Sequence, residues 1–354
     1  MLNSVYQLIT PKTISVKHED VDTKDQVIIR PEYLALCHAD QRYYQGKRDI
    51  KILRKKLPMA LIHEACGRVI HDPTGTFKVG QSVVMIPNIP GNREEKVIYE
   101  NYGKGGGFLS SGHDGFMREF VNLPADRVVA FDDIDKRIAA ITEFISVGMH
   151  AYLRFSLISH EYKNSIGIWG DGSLAFIVSS ILKKKYPDTK IIVIGKNTSK
   201  LSQFSFVDET ILADDLEEGF NVDHAFECAG GEGSFYAIDN IIKYINPQGT
   251  VMLMGVSENK VPINTRDILE KGLTFVGSSR SGRVDFENAI KFMEDKSIQR
   301  RLKSIIYETD EVKNISDIHK AFSVDIDTDF KTCLLYNLRA HETVLDLVCR
   351  LLLE

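Results

Sequence analysis

The amino-acid sequence predicts an α/β protein in which a β-rich domain is followed by a doubly wound domain with a parallel sheet. Three observations predict it. Short apolar runs from Val27 to about Val129 are broken by Gly, Pro, Asn and Asp, which is typical of strands with many turns. From Ser165 onward strand-like and helix-like segments alternate, which indicates βαβ units. A glycine-containing turn joins the first of these strands to the following helix.

These segments set the expected domains. We place the first domain at 1–135, completed by about 296–340, and the second at 136–295. A tail at 341–354 is amphipathic, and we interpret it as either a docking helix or a tail of artificial origin. The expected strands are Ser165–Trp169, Ile191–Ile194, Asp223–Glu227, Thr250–Met254, Thr274–Val276, Lys303–Ile306 and Thr332–Leu335. The expected helices are Ser173–Lys185, Phe235–Tyr244 and Phe286–Met293.

Composition excludes several classes of protein. The 354 residues are 43% hydrophobic and 26% charged, which is ordinary for a globular protein but long for a single core. A formal net charge of -5 argues against nucleic-acid binding. No apolar stretch approaches the roughly 18 residues of a membrane span, and the first residues do not resemble a signal peptide. We therefore expect a cytoplasmic protein without membrane or nucleic-acid partners.

The cysteines do not suggest a disulfide framework. They are odd in number, widely scattered and without a C-x-x-C pair. The five are Cys37, Cys66, Cys228, Cys333 and Cys349. A special role for any of them must therefore come from its neighbours.

The glycine turn has the form G-x-G-x-x-A. Its first glycine allows a tight turn, its second lets a pyrophosphate approach the backbone, and its small third residue lets the helix pack on the strand. The pattern alone is equally compatible with an ordinary glycine turn, but the strand before it and the helix after it favour a dinucleotide site. The expected cofactor contacts here are Gly170, Gly172, Ser173, Leu174 and Ala175.

The end of the second strand favours NADP(H) over NAD(H). An NAD-binding chain places an acidic residue there for the ribose hydroxyls, whereas this chain has Gly195 and Lys196, with Lys200 shortly after. The missing carboxylate and the two ammonium groups both favour a 2′-phosphate. The alternative is that these lysines only solvate a turn.

Two short motifs bring metal-binding side chains into the first domain. Cys37-His38-Ala39-Asp40 and His63-Glu64 supply a thiolate, an imidazole and a carboxylate, a set that zinc accepts. A catalytic zinc site uses three such ligands and keeps a further position for water or substrate. Taken singly, Cys37 and His63 could be ordinary interior residues, so it is the combination that predicts a metal site.

These motifs together resemble the zinc-containing medium-chain alcohol dehydrogenase family, in which a GroES-like β domain precedes a Rossmann domain. The resemblance follows the order of the family and covers nearly the whole chain except the tail. The matching pieces are CHAD at Cys37–Asp40, HEACGRV at His63–Val69, ITEFISVGMHAY around Glu143, the GDGSLA turn and FECAG at Phe226–Gly230.

The resemblance implies the ligands. Cys37 and His63 would bind zinc, as would Glu64 and Glu143 in the polyol-dehydrogenase-like branch, the latter either directly or through water. Alcohol dehydrogenases proper tend to carry a cysteine at the position of Glu143, so this replacement points to the polyol branch. Asp40 would accept a hydrogen bond from His63 and fix its tautomer.

Two departures from the family pattern matter. Ile62 stands before His63 where many members have glycine. The stretch Pro87–Gly107, where many members hold a structural zinc with four cysteines, contains no cysteine. We therefore expect one catalytic zinc per chain and no structural zinc.

The expected chemistry is hydride transfer between a nicotinamide and a zinc-bound alcohol or carbonyl. The proton would move between that oxygen and solvent through His38, Asp40 or Glu64, a choice that the sequence leaves open. The expected catalytic residues are Cys37, His38, Asp40, His63 and Glu64.

A basic group after CHAD suggests a phosphorylated substrate. Arg42, Lys47 and Arg48 suit a phosphate, although such a run is often only a solvated face. LPMALIHEACGRVIHDPTG, VVMIPNIP and SGHDGFMREFV resemble the bacterial ribitol-5-phosphate 2-dehydrogenases, or ribulose-5-phosphate reductases. This resemblance implies reversible NADPH-dependent reduction of D-ribulose 5-phosphate to D-ribitol 5-phosphate, which supplies CDP-ribitol for teichoic acid or capsule synthesis. It also implies a cytidylyltransferase as pathway neighbour, and we expect a homodimer.

Three other interpretations compete with this one. A zinc-free medium-chain reductase acting on activated alkenes would not need the set of Cys37, His63 and Glu64. A non-enzymatic protein that keeps only the fold is a further alternative, but the ligand set is intact. Within the zinc enzymes, a polyol dehydrogenase acting on unphosphorylated sorbitol or xylitol is the runner-up.

Overall fold

The computed structural model describes residues 1–92 and 97–338, which form two compact units. The first unit comprises Met1–Glu143 and the described residues from Ser281 onward, and the second comprises Phe144–Arg280. The tail expected at 341–354 lies outside the described residues. Within the described ranges, no helix is both long enough and apolar enough to cross a membrane.

The two units meet at residues 143/144 and 280/281, whereas the sequence analysis placed these boundaries at 135 and 295. Hydrogen bonds account for the difference. Lys136 donates from Nζ to Oε2 of Glu32 at 2.6 Å, which ties the segment after residue 135 to the first unit. The backbone N–H of Arg283 donates to Oε1 of Glu100 at 2.8 Å, and its guanidinium donates to the carbonyl of Val128 at 3.0 Å. The helix that begins at Arg283 therefore belongs to the first unit.

Short strands make up most of the first unit and alternate with helices in the second. The strands of the described residues are β1 (Leu2–Thr10), β2 (Thr13–Asp20), β3 (Val27–Ala35), β4 (Met59–Ala60), β5 (Glu64–His71), β6 (Ser82–Met85), β7 (Asn88–Ile89), β8 (Gly107–Phe108), β9 (Val121–Leu123), β10 (Val128–Ala130), β11 (Ser165–Trp169), β12 (Lys190–Gly195), β13 (Glu209–Leu212), β14 (His224–Glu227), β15 (Thr250–Leu253), β16 (Thr274–Gly277), β17 (Ile306–Glu308) and β18 (Lys331–Leu335).

Helices occur in both units. They are α1 (His38–Tyr44), α2 (Ile50–Lys56), α3 (Lys136–Ala140), α4 (Thr142–Ile158), α5 (Ser173–Lys185), α6 (Thr198–Leu201), α7 (Gly233–Tyr244), α8 (Thr265–Lys271), α9 (Arg283–Met293), α10 (Lys296–Lys303) and α11 (Ile315–Ile326).

The first unit is organised around a seven-stranded sheet in the order β10-β6-β5-β3-β18-β17, with β9 also paired to β3. A three-stranded sheet, β2-β1-β4, and the short pair β7-β8 complete its strands. Strand β18 runs antiparallel to β3, with Cys333 opposite Ala35. The late strand β18 therefore lies beside the strand that leads into Cys37. The core under these strands is apolar, with Leu34, Ile62 and Phe116 fully buried.

The second unit is a six-stranded parallel sheet in the order β13-β12-β11-β14-β15-β16. Its central strands are apolar, as strands covered on both faces must be. The strand order reverses between β11 and β14, and at such a point the carboxyl ends of the strands form a ligand-binding crevice. The expected doubly wound sheet is confirmed.

One expected strand is wrong in its placement, and several elements were not expected. Lys303 ends α10, and strand β17 begins only at Ile306. The reason is that Asp295 caps α10 by accepting from the N–H of Ser297 at 2.8 Å, and the helix buries Leu302. From Ser165 onward, the elements without a counterpart among the expected segments are β13, α6, α8, α10 and α11.

Candidate active site

Three of the residues expected to bind zinc lie at the ends of two neighbouring strands of the first unit. Strand β3 ends two residues before Cys37, and Glu64, the first residue of β5, pairs with Ala35 at the end of β3. The ligand atoms of Cys37, His63 and Glu64 all lie within 4.8 Å of one another. The structure therefore brings together a thiol, an imidazole and a carboxylate.

Ile62, directly before the imidazole, has an unusual backbone. Its φ is +67°, a left-handed conformation that a β-branched residue rarely adopts. Its N–H donates to Oδ1 of Asp40 at 2.9 Å, and its carbonyl accepts from the N–H of Phe116 at 2.7 Å. These bonds hold a conformation that costs about 1–3 kcal/mol. The positive φ, which glycine adopts without steric cost, fits the glycine that many members of the family have at this position.

A buried network positions the His63 ring. The hydroxyl of Ser110 lies 3.1 Å from Nδ1 of His63 and donates to Oδ1 of Asp40 at 2.8 Å. Nδ1 of His63 is also 3.6 Å from Oδ2 of Asp40, which accepts from the N–H of Cys37 at 3.2 Å. Burial by itself raises the pKa of Asp40, but the His63 charge and these hydrogen bonds outweigh it and lower the pKa. With Nδ1 engaged, Nε2 is left for a metal.

Lys331 is a site residue that the sequence analysis missed. Its ammonium donates to Oε1 of Glu64 at 2.6 Å and to the carbonyl of Leu36 at 3.0 Å. The side chains of Lys331 and Glu64 are both buried. Burial alone would lower the pKa of Lys331, but the carboxylate of Glu64 outweighs it and raises the pKa. The lysine is therefore charged and holds one oxygen of Glu64.

Glu143 is buried in the first turn of α4 but is not a member of the close set. The ligand atoms that lie within 4.8 Å of one another are those of Cys37, His63 and Glu64 alone among the described residues. Burial is the main cause that raises the pKa of Glu143 to about 7, with a further contribution from Glu64. Its place as a fourth ligand stays a prediction.

The donor set fits a zinc ion. Oε2 of Glu64 is buried and accepts no hydrogen bond from the described part of the chain. Such an oxygen costs about 1–3 kcal/mol when it is left unsatisfied, and a cation beside it would remove that penalty. Cys37, His63 and Glu64 are thus the residues that would hold the metal, with soft and hard donors that zinc accepts together.

The basic group after CHAD lies on and just after α1. Arg48 and Arg42 are half-buried, and Lys47 is exposed. Arg48 places its guanidinium 4.6 Å from the ring centre of Tyr43. Burial lowers the pKa of Arg42, and the nearby charge of Arg48 adds to this effect. His38 is the first residue of the same helix, and burial, followed by the nearby charge of Arg42, lowers its pKa. The group therefore concentrates positive charge beside α1.

The glycine turn of the second unit has the backbone that a pyrophosphate requires. Gly170 has a φ of +138°, and a Cβ there would lie 2.9 Å from the carbonyl carbon and oxygen of Cys228. At Gly172, the residue before α5, a Cβ would meet no atom within 4 Å, so the backbone faces open space. Ala175 is fully buried, and Ser173 and Leu174 are half-buried in the first turn. The turn therefore fits a dinucleotide.

The end of β12 is shaped by an aspartate that the sequence analysis did not single out. Oδ2 of Asp171 accepts from the N–H groups of Lys196 and Asn197 at 2.7 and 2.8 Å. A Cβ on Gly195 would lie 2.7 Å from Cβ of Asp171, so this contact requires glycine. Lys196 is exposed and lies with Nζ 5.0 Å from the ring centre of Tyr236, and Lys200 follows one helical turn later. Two ammonium groups thus stand where an NAD-binding chain has a carboxylate.

Family models match both units. The alcohol dehydrogenase GroES-like domain matches residues 23–133, and the zinc-binding dehydrogenase model matches residues 187–295.

Curated relatives match along almost the whole chain. The ribulose-5-phosphate reductase of Streptococcus pneumoniae is 57% identical over 334 residues, which cover 94% of this chain and 96% of that protein. Ribulose-5-phosphate reductase 1 of Staphylococcus aureus is 47% identical over 338 residues, which cover 95% of this chain and 99% of that protein. The crystal structure of Staphylococcus aureus TarJ in complex with NADPH has a TM-score of 0.85 and 44% identity, and the match covers 96% of this chain and 100% of that one.

Proposed function

This chain belongs to the zinc-binding alcohol dehydrogenase family, and we propose that it reduces D-ribulose 5-phosphate to D-ribitol 5-phosphate with NADPH and one catalytic zinc. The observation that carries the substrate is the 57% identity with a ribulose-5-phosphate reductase along nearly the full length of both chains. The NADPH complex of the related TarJ supports the choice of cofactor. The site geometry supports the reaction class independently of both.

Zinc, when bound, polarises a carbonyl oxygen as a Lewis acid, and NADPH supplies the hydride. The residues of this chain set the conditions for that chemistry. Asp40 and Ser110 orient the His63 ring, and Lys331 fixes one oxygen of Glu64 while the other accepts no hydrogen bond from the described residues. Because these groups are buried, water competes poorly for their hydrogen bonds. The site is therefore preorganised before a ligand arrives.

The proton that completes the alcohol needs a route from solvent. Of the three expected carriers, Asp40 and Glu64 have no solvent exposure, whereas His38 is exposed. The oxygens of Asp40 already accept from Ile62, Ser110 and the backbone of Cys37. Exposure thus favours His38 as the group that exchanges the proton with water, and Asp40 as a positioning residue.

A dinucleotide would bind at the turn of Gly170 and Gly172, with its pyrophosphate against the N-terminus of α5. The ammonium groups of Lys196 and Lys200 would face the 2′-phosphate and favour NADPH. In the first unit, Arg42, Lys47 and Arg48 supply the positive charge for the phosphate of the substrate. Of these, the half-buried Arg42 and Arg48 are better placed than the exposed Lys47.

The pathway context follows from the same relatives. We infer that the product supplies CDP-ribitol for teichoic acid or capsule synthesis, so that a ribitol-5-phosphate cytidylyltransferase acts next. We further expect a cytoplasmic homodimer.

The reaction is tested with the purified, zinc-loaded protein. With NADPH and D-ribulose 5-phosphate, we expect NADPH oxidation and formation of ribitol 5-phosphate identified by mass spectrometry. Replacing NADPH with NADH should give a much lower kcat/KM. Replacing ribulose 5-phosphate with xylulose 5-phosphate or fructose should also give a much lower kcat/KM. Efficient reduction of fructose with no turnover of ribulose 5-phosphate would refute the assignment and favour a polyol dehydrogenase.

A further inference from the structure

Lys56 differs from the other basic residues of its helix. It is the last residue of α2, and its neighbours Arg54 and Lys55 are exposed, whereas Lys56 is half-buried. Its ammonium donates to the hydroxyl of Ser111 at 2.7 Å and lies 5.8 Å from the ring centre of Tyr43. The side chain is thus held by two contacts.

The ring of Tyr43 holds a second cation. Arg48 places its guanidinium carbon 4.6 Å from the ring centre, and Tyr43 itself is only 2% exposed. A buried ring keeps a fixed orientation, so both cations are positioned by one rigid group. Arg48 precedes α2 and Lys56 ends it, which means that the helix brings two separate positive charges back to the same ring.

The hydrogen-bond partner of Lys56 lies next to a serine that contacts the metal-binding residues. Ser111 follows Ser110, whose hydroxyl bonds both Asp40 and His63. The Cα atoms of Ser110 and Ser111 are about 3.8 Å apart, as in any pair of neighbouring residues. The ammonium of Lys56 is therefore hydrogen-bonded to the same loop that orients the His63 ring. A substrate whose carbonyl approaches His63 would therefore have Lys56 nearby.

Among the residues that the structure describes, no carboxylate pairs with the ammonium of Lys56. Within residues 1–92 and 97–338, Lys56 forms no ion pair, and its contacts are to a hydroxyl and an aromatic face. Arg42 adds a third positive charge near Arg48, and burial, followed by the charge of Arg48, lowers its pKa. Two cations that share one aromatic ring, one of them an ammonium without an acidic partner in the described part of the chain, are suited to an anion with several oxygens.

We propose that Lys56 and Arg48, both held by Tyr43, bind the phosphate of the sugar phosphate, so that Lys56 determines specificity for phosphorylated ketoses. This inference rests on the proposed function, and it adds a contact outside the basic group that follows CHAD. Arg48 supplies a planar fork for two phosphate oxygens, and Lys56 supplies a point charge from the side of the Ser110–Ser111 loop. The reacting carbonyl and the phosphate would then be fixed by one connected set of residues.

The test compares Lys56→Met with the matched control Lys55→Met, one residue away in the same helix. For Lys56→Met we expect kcat/KM for ribulose 5-phosphate to fall about tenfold to hundredfold, the effect of one charge-assisted contact. The value for unphosphorylated ribulose and the Kd for NADPH should stay within about twofold, as judged against ordinary surface substitutions. Lys55→Met should leave all three unchanged, and Lys56→Arg should recover most of the loss.

A second readout does not depend on the substrate assignment. Inorganic phosphate should bind the wild-type protein more tightly than Lys56→Met by the same factor, as measured by calorimetry or by competitive inhibition. Equal phosphate binding by the two proteins, or an equal loss of kcat/KM with both ketoses, would overturn the role of Lys56. If the wild type shows no preference for ribulose 5-phosphate but Lys56→Met still loses phosphate binding, the proposed function fails and the anion site stands.

Discussion

The ammonium of Lys331 lies 2.6 Å from Oε1 of Glu64 and 3.0 Å from the carbonyl oxygen of Leu36. Leu36 directly precedes Cys37, so one buried lysine connects the segments that carry two expected zinc ligands. The pairing of β18 with β3 makes this contact possible. Lys331 thus acts as a positioning residue, because it occupies Oε1 of Glu64 and leaves Oε2 without a hydrogen-bond partner in the part of the chain that the structure describes.

Replacing Lys331 with Met should weaken both the fold and metal retention. The change leaves the buried carboxylate of Glu64 without its ammonium, and breaking a buried pair in this way costs about 3–5 kcal/mol. We expect urea unfolding to show a loss of that size, and zinc to dissociate faster into a chelator. Lys331→Arg keeps the positive charge, so it should lose less unfolding free energy and retain zinc longer than Lys331→Met. Unchanged unfolding and unchanged zinc release in Lys331→Met would contradict the positioning role.

Two glycines of the dinucleotide turn should respond differently to alanine. Gly172→Ala meets no protein atom, so the free energy of unfolding should change by less than about 1 kcal/mol, while the methyl group obstructs the pyrophosphate. We expect the Kd for NADPH to rise about tenfold or more, or about 1.4 kcal/mol. Gly170→Ala forces a strained φ against the Cys228 carbonyl and should cost about 1–3 kcal/mol of stability. Equal stability of the two variants would refute this distinction.

Lys196→Glu should change cofactor preference. It replaces an ammonium near the expected 2′-phosphate by a carboxylate, and one charge-assisted contact is worth about 1.5–3 kcal/mol. The Kd for NADPH should therefore rise about tenfold to hundredfold, with little change for NADH. Lys190→Glu, at the other end of β12, is the matched control and should affect neither. A parallel loss for both cofactors would show that Lys196 does not contact the 2′-phosphate.

His224 should make stability depend on pH. Its Nδ1 accepts from the N–H of Thr250 at 3.1 Å and its Nε2 donates to the carbonyl of Tyr162 at 3.0 Å, so the folded ring is neutral. Burial, with the charges of His160 and Lys163, lowers the pKa to about 4 despite nearby Asp223.

The unfolded pKa of a histidine is near 6.5, so the stabilisation is present above that pH and is lost as the pH falls toward 4. From pH 7 to pH 5 we expect the free energy of unfolding to drop by up to about 2 kcal/mol from this residue. His224→Asn keeps an acceptor for Thr250 but does not titrate, so its unfolding by urea should depend less on pH. The same pH dependence in both proteins would exclude His224 as the cause.

Local signals made the second unit predictable from the sequence. The turn of Gly170 and Gly172 and the apolar strands on either side are consecutive in the chain, and each has a distinct periodicity. Strand β13 (Glu209–Leu212) was not predicted because it is short and mixed in polarity. It is placed in the sheet by pairing with β12. Lys303 was misplaced because the capped helix α10 continues through it.

The site was predictable only where its residues belong to motifs. Cys37, His63 and Glu64 follow from their types and from the family resemblance, whereas Lys331 lies 267 positions from Glu64 and reaches it through long-range strand pairing. Ser110 is likewise 47 positions from His63. Ile62 stands where many family members have glycine, which hints at an unusual backbone conformation. Its positive φ is visible only in the structure.

The central claim is that this enzyme reduces a phosphorylated ketose, and the most direct test is the ratio of kcat/KM for D-ribulose 5-phosphate to that for D-ribulose, with NADPH and the zinc-loaded wild type. If the cations beside α1 contribute one or two charge-assisted contacts of about 1.5–3 kcal/mol each, the ratio should be at least about tenfold to hundredfold in favour of the phosphorylated sugar. A ratio near one would contradict the account and assign the enzyme to the polyol dehydrogenases that act on unphosphorylated substrates.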